Sequence, residues 1–291
     1  MADSIYMKPF KPVDLTEMYI TFLDAFSDYA LPFKLTKEQF VRKFVQKLKL
    51  DFGLSVGAYH YDGSLAGFIF TAVNYYEGKL TAYNGGTGVR PRSRGFRLTT
   101  QMYEYLVPLL KERGIKQCVL EVLTSNIRAI KAYEAIGFER TKYFKCYILN
   151  NENVDFGDTQ YHGEYEIKEV KIPNWNLYGK FCDYAPSFLD TSRMIDDNLA
   201  NETILEVRDD DECVGFAIYQ PSFGRISQVG IKHEKRRKGI GTSLMSYIYQ
   251  TSTLKKITII NVNNEAEGTK RFFENLGFEN QIDQYEMIMS V

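Results

Sequence analysis

A short basic segment near the end of the chain has residues and spacing suited to holding a phosphate. It reads RRKGIGTSL over residues 236–244, after a strand-like run and before an apolar helical pattern. The first N–H groups of a helix have no partner within the helix, and the helix dipole adds positive charge there. Gly239 and Gly241 lack a Cβ atom, so phosphate oxygens can approach the backbone closely. Ile240 between them can point into the core, and the basic residues before Gly239 can screen the phosphate charge.

This segment alone does not identify its ligand. It lacks the Gly-Lys-Ser/Thr ending of a Walker loop, and Leu244 stands where the dinucleotide pattern G-x-G-x-x-G has its third glycine. The alternative is an ordinary basic helix N-terminus that follows a turn. The sequence around the segment has to decide between the two.

The overall composition disfavours several classes of function. Hydrophobic residues make up 44% and charged residues 25% of the chain, and the formal net charge is −1. This is the composition of a soluble globular protein, and the charge balance favours neither nucleic acid nor an anionic membrane as a partner. The four cysteines form no C-x-x-C pair and stand apart from the three histidines, so we expect no metal site. With no signal-like or membrane-spanning segment, we expect a cytoplasmic protein.

The elements that must position this segment follow an order that occurs twice. The first half shows two helices, a hairpin about Asp62-Gly63, another strand and a loop, and then helix, strand, helix and strand. The polar stretch 151–161 is predicted to be a linker between domains 1–150 and 162–291, and the same order returns after it. The predicted helices are 14–30, 36–50, 98–113, 126–136, 239–251 and 266–276, with short helices in 173–200, and the main predicted strands are 54–73 and 203–219 as hairpins, 79–89, 115–123, 140–149 and 282–289.

The two halves can also be superimposed residue by residue. AIKAYEAIGF ends at Phe138 and TKRFFENLGF ends at Phe278, 140 residues later, and VLEV falls on IINV at the same offset. Val89, before the first loop, matches Ile231 before the second at an offset of 142. Such a duplication predicts the same fold twice, each copy a mixed sheet flanked by helices in the α/β or α+β class.

Two motifs in this repeated frame resemble one enzyme family. Arg236-x-x-Gly239-x-Gly241 after a strand is similar to the acetyl-CoA pyrophosphate loop of the GNAT superfamily of N-acetyltransferases. LEVLTSNIRAIKAYEAIGF (120–138) is similar to the second hallmark of that family, an Asn followed by a helix with a Tyr and a Gly-Phe end. The resemblance implies two tandem GNAT-like domains, each with a mixed, mostly antiparallel sheet, and an acetyl group transferred directly from acetyl-CoA to a small-molecule or peptide amine.

The resemblance also implies which residues hold acetyl-CoA. Strands four and five of each domain would splay apart and grip the pantetheine arm through backbone hydrogen bonds, which is reasonable because pantetheine resembles a short peptide. The loop before the next helix would bind the pyrophosphate. The implied cofactor-binding residues are Thr87, Gly88, Val89, Arg94, Gly95, Phe96, Arg97, Leu98, Thr99 and Asn126 in the first half, and Val229, Gly230, Ile231, Arg236, Arg237, Lys238, Gly239, Ile240, Gly241 and Thr242 in the second.

The expected catalytic pair occurs in the first half. Acetyl transfer to an amine needs a base for the attacking nitrogen and an acid for the departing thiolate. The first half resembles ribosomal-protein alanine acetyltransferases, which use a strand Glu as base and a helix Tyr as acid, and Glu121 and Tyr133 stand at those positions. The first loop departs from the family pattern, since Arg97 and Thr99 replace its two glycines.

The second half keeps the glycines and lacks the catalytic pair. Asn261 stands at the Glu position, Ala266 at the Asn position and Phe273 at the Tyr position, and Phe cannot donate a proton. Asn263 and Asn264 are candidates to contact the cofactor, and Tyr285 is a candidate acid.

Several alternatives stay open at this stage. Catalysis could occur in the second half with a degenerate first half, or one half could be a non-catalytic acyl-CoA-binding or structural module. Tyr133 could be a core residue, and Glu121 could be a paired structural carboxylate. Nucleic-acid binding through Lys235–Lys238 is disfavoured by the charge balance.

Overall fold

A computed structural model describes residues 5–28, 35–150, 156, 165–254 and 256–291 of the chain. The chain forms two compact units. The first unit comprises Met1–Thr141 together with Glu286–Val291, and the second comprises Lys142–Tyr285. Two strands, Glu139–Leu149 (β6) and Glu279–Ser290 (β12), cross the limits between the units.

These limits differ from the domain boundaries predicted from the sequence. Residues 142–150, which were predicted in the first domain, belong to the second unit, and 286–291 belong to the first unit although they follow the second. The predicted linker 151–161 lies outside the described residues except for Phe156. A polar stretch indicates where the chain lacks a core, but it carries no information about which sheet the flanking strands join.

The first unit is built on a mixed sheet. Its strands follow the order β1-β2-β3-β4-β5-β12, and β12 contributes its last residues, from Glu286 onward. Successive strands from β1 to β4 are antiparallel, and β4 and β5 are parallel. The strands are Ile5–Pro9 (β1), Val56–His60 (β2), Leu65–Tyr76 (β3), Lys79–Val89 (β4) and Gln117–Leu123 (β5).

Helices pack on this sheet through aromatic side chains. Phe22, Phe40 and Phe44 have ring centroids 4.9–5.5 Å apart, and Phe40 and Phe44 both pack on Phe70 of β3. These phenylalanines are the apolar faces that the helical periodicity predicted. The helices are Leu15–Ala25 (α1), Lys37–Phe40 (α2) continued by a π-helical segment Val41–Lys47, Leu98–Glu112 (α3) and Ile127–Ile136 (α4).

The second unit repeats the arrangement. Its strand order is β12-β6-β11-β10-β9-β8-β7. β10 and β11 are parallel, whereas β11–β6, β10–β9, β9–β8 and β8–β7 are antiparallel. A single core cluster joins the sheet to α7 and α8, with Ile240, Leu244 and Phe273 each at most 3% exposed. The elements are Glu139–Leu149 (β6), Glu166–Val170 (β7), Trp175–Tyr178 (α5), Ser192–Asp196 (α6), Thr203–Asp209 (β8), Glu212–Gln220 (β9), Arg225–Ile231 (β10), Ile240–Thr251 (α7), Ile257–Asn263 (β11), Glu267–Asn275 (α8) and Glu279–Ser290 (β12).

The predicted duplication is confirmed in detail. β5 and β11 begin and end 140 residues apart, and Gly137 and Gly277 both end a helix with a positive φ, 109° and 84°. Each copy also has a bulge on the strand before the loop, where Gly85 and Ser227 have no partner in the register with the neighbouring strand. No helix within the described part of the chain is long and apolar enough to cross a membrane.

Candidate functional site

Each unit contains a cleft between two parallel strands that diverge. β4 and β5 pair only from Thr81–Gln117 to Tyr83–Val119, and β10 and β11 pair only at Arg225–Thr258 and Ile226–Ile259. On its other side, β4 remains paired with β3 as far as Val89, and β10 remains paired with β9 as far as Ile231. The predicted pantetheine-binding segments, Thr87–Val89 and Val229–Ile231, are therefore strand ends with one edge turned towards the cleft.

A glycine in each segment is required by close packing. A Cβ atom on Gly88 would lie 2.6 Å from the Phe68 ring and 2.9 Å from Ala25. A Cβ on Gly230 would lie 2.8 Å from the Phe216 ring and 2.9 Å from the backbone of Phe181. Both distances are shorter than carbon atoms tolerate, so each glycine lets a neighbouring segment lie directly against the strand.

The two predicted phosphate loops share one backbone conformation despite their different sequences. Gly95 and Arg237 occupy equivalent positions with φ of 90° and 61°, and Arg97 and Gly239 are equivalent with φ of 56° and 79°. Each loop thus places one arginine in the left-handed region, at a cost of roughly 1–2 kcal/mol. The arginine that replaces a glycine in the first loop therefore leaves the path of the backbone unchanged.

The helices after both loops begin without a side-chain cap. Leu98 and Ile240 are the first residues of α3 and α7, and neither helix has a side-chain hydrogen bond at its cap. Both side chains are buried, each 3% exposed, which confirms that Ile240 points into the core. The first-turn N–H groups are consequently the part of each loop that can bind an anion.

Arg94 and Arg236, which are predicted to bind the cofactor, also make contacts within the protein that hold the loops. Arg94 donates from Nε to the carbonyl of Val89 and from its other nitrogens to the carbonyl of Ala25 and to Asp28. Asp28 is held in its charged form, since the hydrogen bond from Arg94 lowers the pKa of that carboxyl group. The guanidinium group therefore fastens the strand end and the loop to the segment after α1, with its charge directed at a carboxylate.

Arg236 repeats this pattern in the second unit. Its Nε donates to the carbonyl of Ile231 at 3.1 Å, and its terminal nitrogens donate to Asp183 at 2.6 Å and to the carbonyl of Phe181 at 3.0 Å. Five guanidinium donors in a rigid fork suit such a three-way contact. The two arginines therefore hold the loop in place, and their contact with the phosphate stays a prediction.

A cavity of about 920 Å³ lies beside the second loop. This volume is in the range of small-molecule sites. Its basic lining includes Lys235, Arg237 and Arg271, whereas Lys238 is exposed and is not part of the lining. The lining also contains the backbone of the loop, the end of β10 and Phe272 of α8.

The Phe272 ring leaves no room for a side chain at position 241, independently of any ligand. A Cβ atom on Gly241 would lie 2.9 Å from two atoms of the Phe272 ring. In the first unit the equivalent residues are Thr99 and Ala132, so the larger side chain is on the other partner. This exchange of sizes explains why the first loop can lack the second glycine.

The predicted catalytic residues of the first unit both face defined partners. Glu121 is half-buried on β5 and accepts a hydrogen bond from the hydroxyl group of Tyr83, which lies at the last paired position of β4. Tyr133 on α4 is 9% exposed and packs edge-on against Tyr103 and Phe138. Sequence reasoning missed Tyr83, and only the alternation of β4 beside β5 could have indicated it.

Asn126 serves as the N-cap of α4. Its Oδ1 accepts a hydrogen bond of 3.1 Å from the N–H of Ala129. Capping an N-terminus with Asn contributes about 1 kcal/mol to helix stability. The predicted contact of Asn126 with the cofactor arm would have to come from the remaining NH2 group, since the oxygen is used within the helix.

The residues at the equivalent positions of the second unit make structural contacts. Asn261 is 3% exposed in the left-handed region, donates to Ser187 Oγ at 3.0 Å and accepts from Gln284 at 3.2 Å. Phe273 is fully buried in the core, and Ala266 gives α8 no side-chain cap. The second unit therefore has an amide and a phenyl ring where the first has a carboxylate and a phenol.

The three other candidates of the second unit also have structural contacts. Asn263 accepts a hydrogen bond from the N–H of Glu265, and Asn264 accepts one from Lys270. Tyr285 packs edge-on against Tyr143, with ring centroids 5.4 Å apart. Within the described residues, no group of three or more His, Cys, Asp or Glu side chains is arranged to hold a metal ion.

Comparisons with known proteins agree with this double architecture. A model described as the Acetyltransferase (GNAT) family matches residues 14–138, and one described as an Acetyltransferase (GNAT) domain matches residues 200–280. No curated protein matches the chain in sequence.

Solved structures resemble the chain over its whole length. A GCN5-related N-acetyltransferase from Sphaerobacter thermophilus is 15% identical with a TM-score of 0.76, covering 100% of this chain and 96% of its own. A tandem GNAT protein from the clavulanic acid biosynthesis pathway is 12% identical with a TM-score of 0.73, covering 99% and 98%. A glucosamine N-acetyltransferase region of a fungal multi-domain β-N-acetylglucosaminidase is 14% identical with a TM-score of 0.76, covering 99% and 38%. At these identities the likeness concerns the fold.

Proposed function

We propose that the first unit transfers an acetyl group from acetyl-CoA to an amine, while the second unit binds CoA without turnover. The chain belongs to the GNAT superfamily of N-acetyltransferases and carries two tandem GNAT domains. One contrast carries this proposal. Glu121 and Tyr133 in the first unit stand at the positions of Asn261 and Phe273 in the second.

The residues of both clefts fit a CoA ligand. The uncapped first turns of α3 and α7 offer backbone N–H groups to a pyrophosphate. The strand ends Thr87–Val89 and Val229–Ile231 offer peptide groups to the pantetheine amides. When bound, acetyl-CoA would supply the activated acetyl thioester.

The side chains of the first unit can move both protons. Glu121, fixed by the Tyr83 hydroxyl, would accept the proton of the attacking amine through a water molecule. Tyr133 would give its phenolic proton to the departing CoA thiolate. Positioned acid and base groups of this kind each contribute about 10²–10⁴-fold to a rate.

The second unit lacks both groups at these positions. Neither an amide nor a phenyl ring can accept or supply the protons of acetyl transfer, and Asn261 is already bonded on both its nitrogen and its oxygen. Its cleft retains the glycine loop and a cavity of about 920 Å³. A binding role therefore suits this unit better than catalysis.

The environment of the cysteines supports a reducing compartment. All four cysteines, Cys118, Cys146, Cys182 and Cys213, lie in the described part of the chain and form no disulfide, and three of them are buried. Disulfides are rare in reducing compartments such as the cytoplasm. A cytoplasmic reaction is consistent with these thiols.

The test measures turnover and CoA binding on the full-length chain. Release of CoA from acetyl-CoA is followed with a panel of amines: an alanine-terminated peptide, glucosamine, lysine and spermidine. We expect Glu121→Gln and Tyr133→Phe each to lower kcat about 10²-fold or more. Gly239→Asp should remove one CoA site from the calorimetric stoichiometry and leave turnover intact. Tyr105→Phe, which alters an exposed tyrosine of α3, is the matched control.

The opposite result would favour the second unit. If Gly239→Asp abolished turnover while Tyr133→Phe and Glu121→Gln kept the rate of the unmodified protein, catalysis would belong to the second cleft. If the chain bound CoA and turned over none of these amines, the first cleft would be a binding module as well.

A further inference from the structure

A buried polar network lies behind the cleft of the first unit. Asn84 of β4 is 6% exposed and precedes the bulge at Gly85. Its Oδ1 accepts the N–H of Gly86 at 2.9 Å, and its Nδ2 donates at 2.7 Å both to Thr87 Oγ1 and to the hydroxyl group of Tyr103. One side chain thus joins the bulge, the strand end and helix α3.

Tyr103 connects this network to the proposed acid. It lies on α3, is 1% exposed, and its ring meets the Tyr133 ring edge-on at 6.4 Å with an interplanar angle of 89°. It also meets Phe138 edge-on at 5.3 Å. The Tyr133 ring is therefore held from behind by Tyr103, whose own position is fixed at the hydroxyl by Asn84.

The second unit shows what the fold requires without this network. Ile226 stands at the Asn84 position and Met245 at the Tyr103 position, and both are fully apolar and at most 1% exposed. The second unit nevertheless has the same bulge, at Ser227, and the same helix packed on the strand. Apolar residues at these two positions are therefore compatible with the bulge and with the packing, while the bulge residue Ser227 is hydrogen-bonded to Gln220 and Glu202 instead.

A buried amide and a buried hydroxyl group lose their hydrogen bonds to water, which costs free energy. Because their hydrogen bonds within the protein largely offset this cost and add little beyond it, apolar side chains of similar shape can stabilise the fold equally well. Keeping such a network in one copy of a duplicated fold suggests a use beyond folding. The copy that keeps it is the one with Glu121 and Tyr133. Because a misplacement of about 1 Å can lower a rate about 10²-fold, fixing the Tyr133 ring would have a direct effect on turnover.

We propose that Asn84 and Tyr103 are positioning residues for acetyl transfer, which hold the phenol of Tyr133 in register with the strand end that binds the acetyl donor. This inference rests on the proposed function of the first unit. It concerns residues that touch neither the acetyl donor nor the amine, and that act through the ring of Tyr133.

The experiment copies the second unit into the first. Asn84→Ile with Tyr103→Met should lower kcat about tenfold or more for acetyl-CoA with the amine panel. KM for acetyl-CoA should stay within about threefold, because Val229, the equivalent of Thr87 in the second unit, occupies its strand end without such a network. Tyr103→Phe removes only the hydroxyl group and keeps the ring, so it tests the network if the double variant fails to fold. Met245→Leu, at the matched position of the second unit, is the control and should keep the full rate.

A double-mutant cycle separates positioning from a general structural effect. On a Tyr133→Phe background, Tyr103→Phe should cause no further loss of kcat, because the group that it positions is already absent. A kcat within twofold of the unmodified protein for Tyr103→Phe, or an equal additional loss on the Tyr133→Phe background, would overturn the inference. An unchanged rate for Tyr133→Phe alone would instead overturn the proposed function, and this inference with it.

Discussion

Gly241 tests whether the glycine of the second loop serves a ligand or a packing contact. A methyl group at this position would lie 2.9 Å from two atoms of the Phe272 ring. Overpacking of this kind costs about 1–3 kcal/mol. Replacing a helical glycine by alanine stabilises the fold by about 0.5–1 kcal/mol, because alanine loses less backbone entropy on folding. We therefore expect Gly241→Ala to lower the free energy of unfolding of the second unit by about 1 kcal/mol.

Removing the opposing ring should relieve this cost. Phe272 is partly buried against the core of the second unit, so Phe272→Ala alone should cost about 1–3 kcal/mol. In the double variant the methyl group no longer meets a ring. The two changes together should therefore be less destabilising than their sum by about 1–2 kcal/mol, which is a coupling typical of residues in contact.

Trp175 makes this measurement specific to the second unit. It is the single tryptophan of the chain, it lies in the second unit, and its indole N–H bonds to Asp196. Urea unfolding followed by its fluorescence gives the free energies of the cycle, and calorimetry gives the CoA affinity of each variant. Gly268→Ala is the control, since its Cβ would meet an atom of Asp183 only at 3.6 Å.

The reasoning makes a sharp claim about binding. If packing fixes Gly241, the double variant should bind CoA within about threefold of Phe272→Ala alone, because both lack the Phe272 ring of the cavity lining and the loop N–H groups are unchanged. A Gly241→Ala variant of unaltered stability that had lost CoA binding, and that Phe272→Ala did not rescue, would refute it. The glycine would then be needed for the approach of the phosphate.

Three further outcomes follow from the contacts of the loops and the core. Arg236→Lys should destabilise the second unit by about 1–3 kcal/mol, because a single ammonium group cannot span Asp183 and two carbonyl groups, and urea unfolding checks this. Arg94→Ala should raise the pKa of Asp28 towards its ordinary value, which an NMR titration measures. Because the pKa of Asp28 is lowered in the folded chain, the Arg94–Asp28 pair stabilises the fold above the pKa of Asp28 in the unfolded chain, and this stabilisation is lost as the pH falls through the pKa of Asp28 in the folded chain. Burial raises the pKa of Cys118 to about 12, so at pH 8 its thiol stays protonated, and mass spectrometry should find it alkylated at least about 10³-fold more slowly than in urea, whereas labelling at the unfolded rate would contradict its burial.

The order of elements was readable from the chain because its signals are local. Helical periodicity, the Asp62-Gly63 turn and the Gly-Phe ends each depend on residues within a few positions of one another, and the Gly-Phe ends recur 140 residues apart. The family resemblance rests on the same short motifs. The fold class and the tandem arrangement could therefore be predicted without any coordinates.

The roles of individual residues were less readable because they depend on distant partners. The sequence predicts Arg94 and Arg236 as cofactor-binding residues, but it gives no indication of their contacts with Asp28 and Asp183. A charged side chain pairs with an opposite charge that the fold brings close to it. The sequence does not give the distance between a loop and the segment after an earlier helix. One signal was available, since both arginines recur at the offset of 142 in loops that otherwise differ.

The repeat in the sequence is enough to predict that one fold occurs twice and that the predicted catalytic residue types and the glycine loop are in different copies. Only the folded chain shows that Tyr83 contacts Glu121, that Asn261 is hydrogen-bonded through both its nitrogen and its oxygen, and that residues 286–291 belong to the first unit. The physical reason is the same in each case. Composition and periodicity act along the chain, whereas strand register and the packing of helices on the sheet determine which distant side chains come within hydrogen-bonding distance.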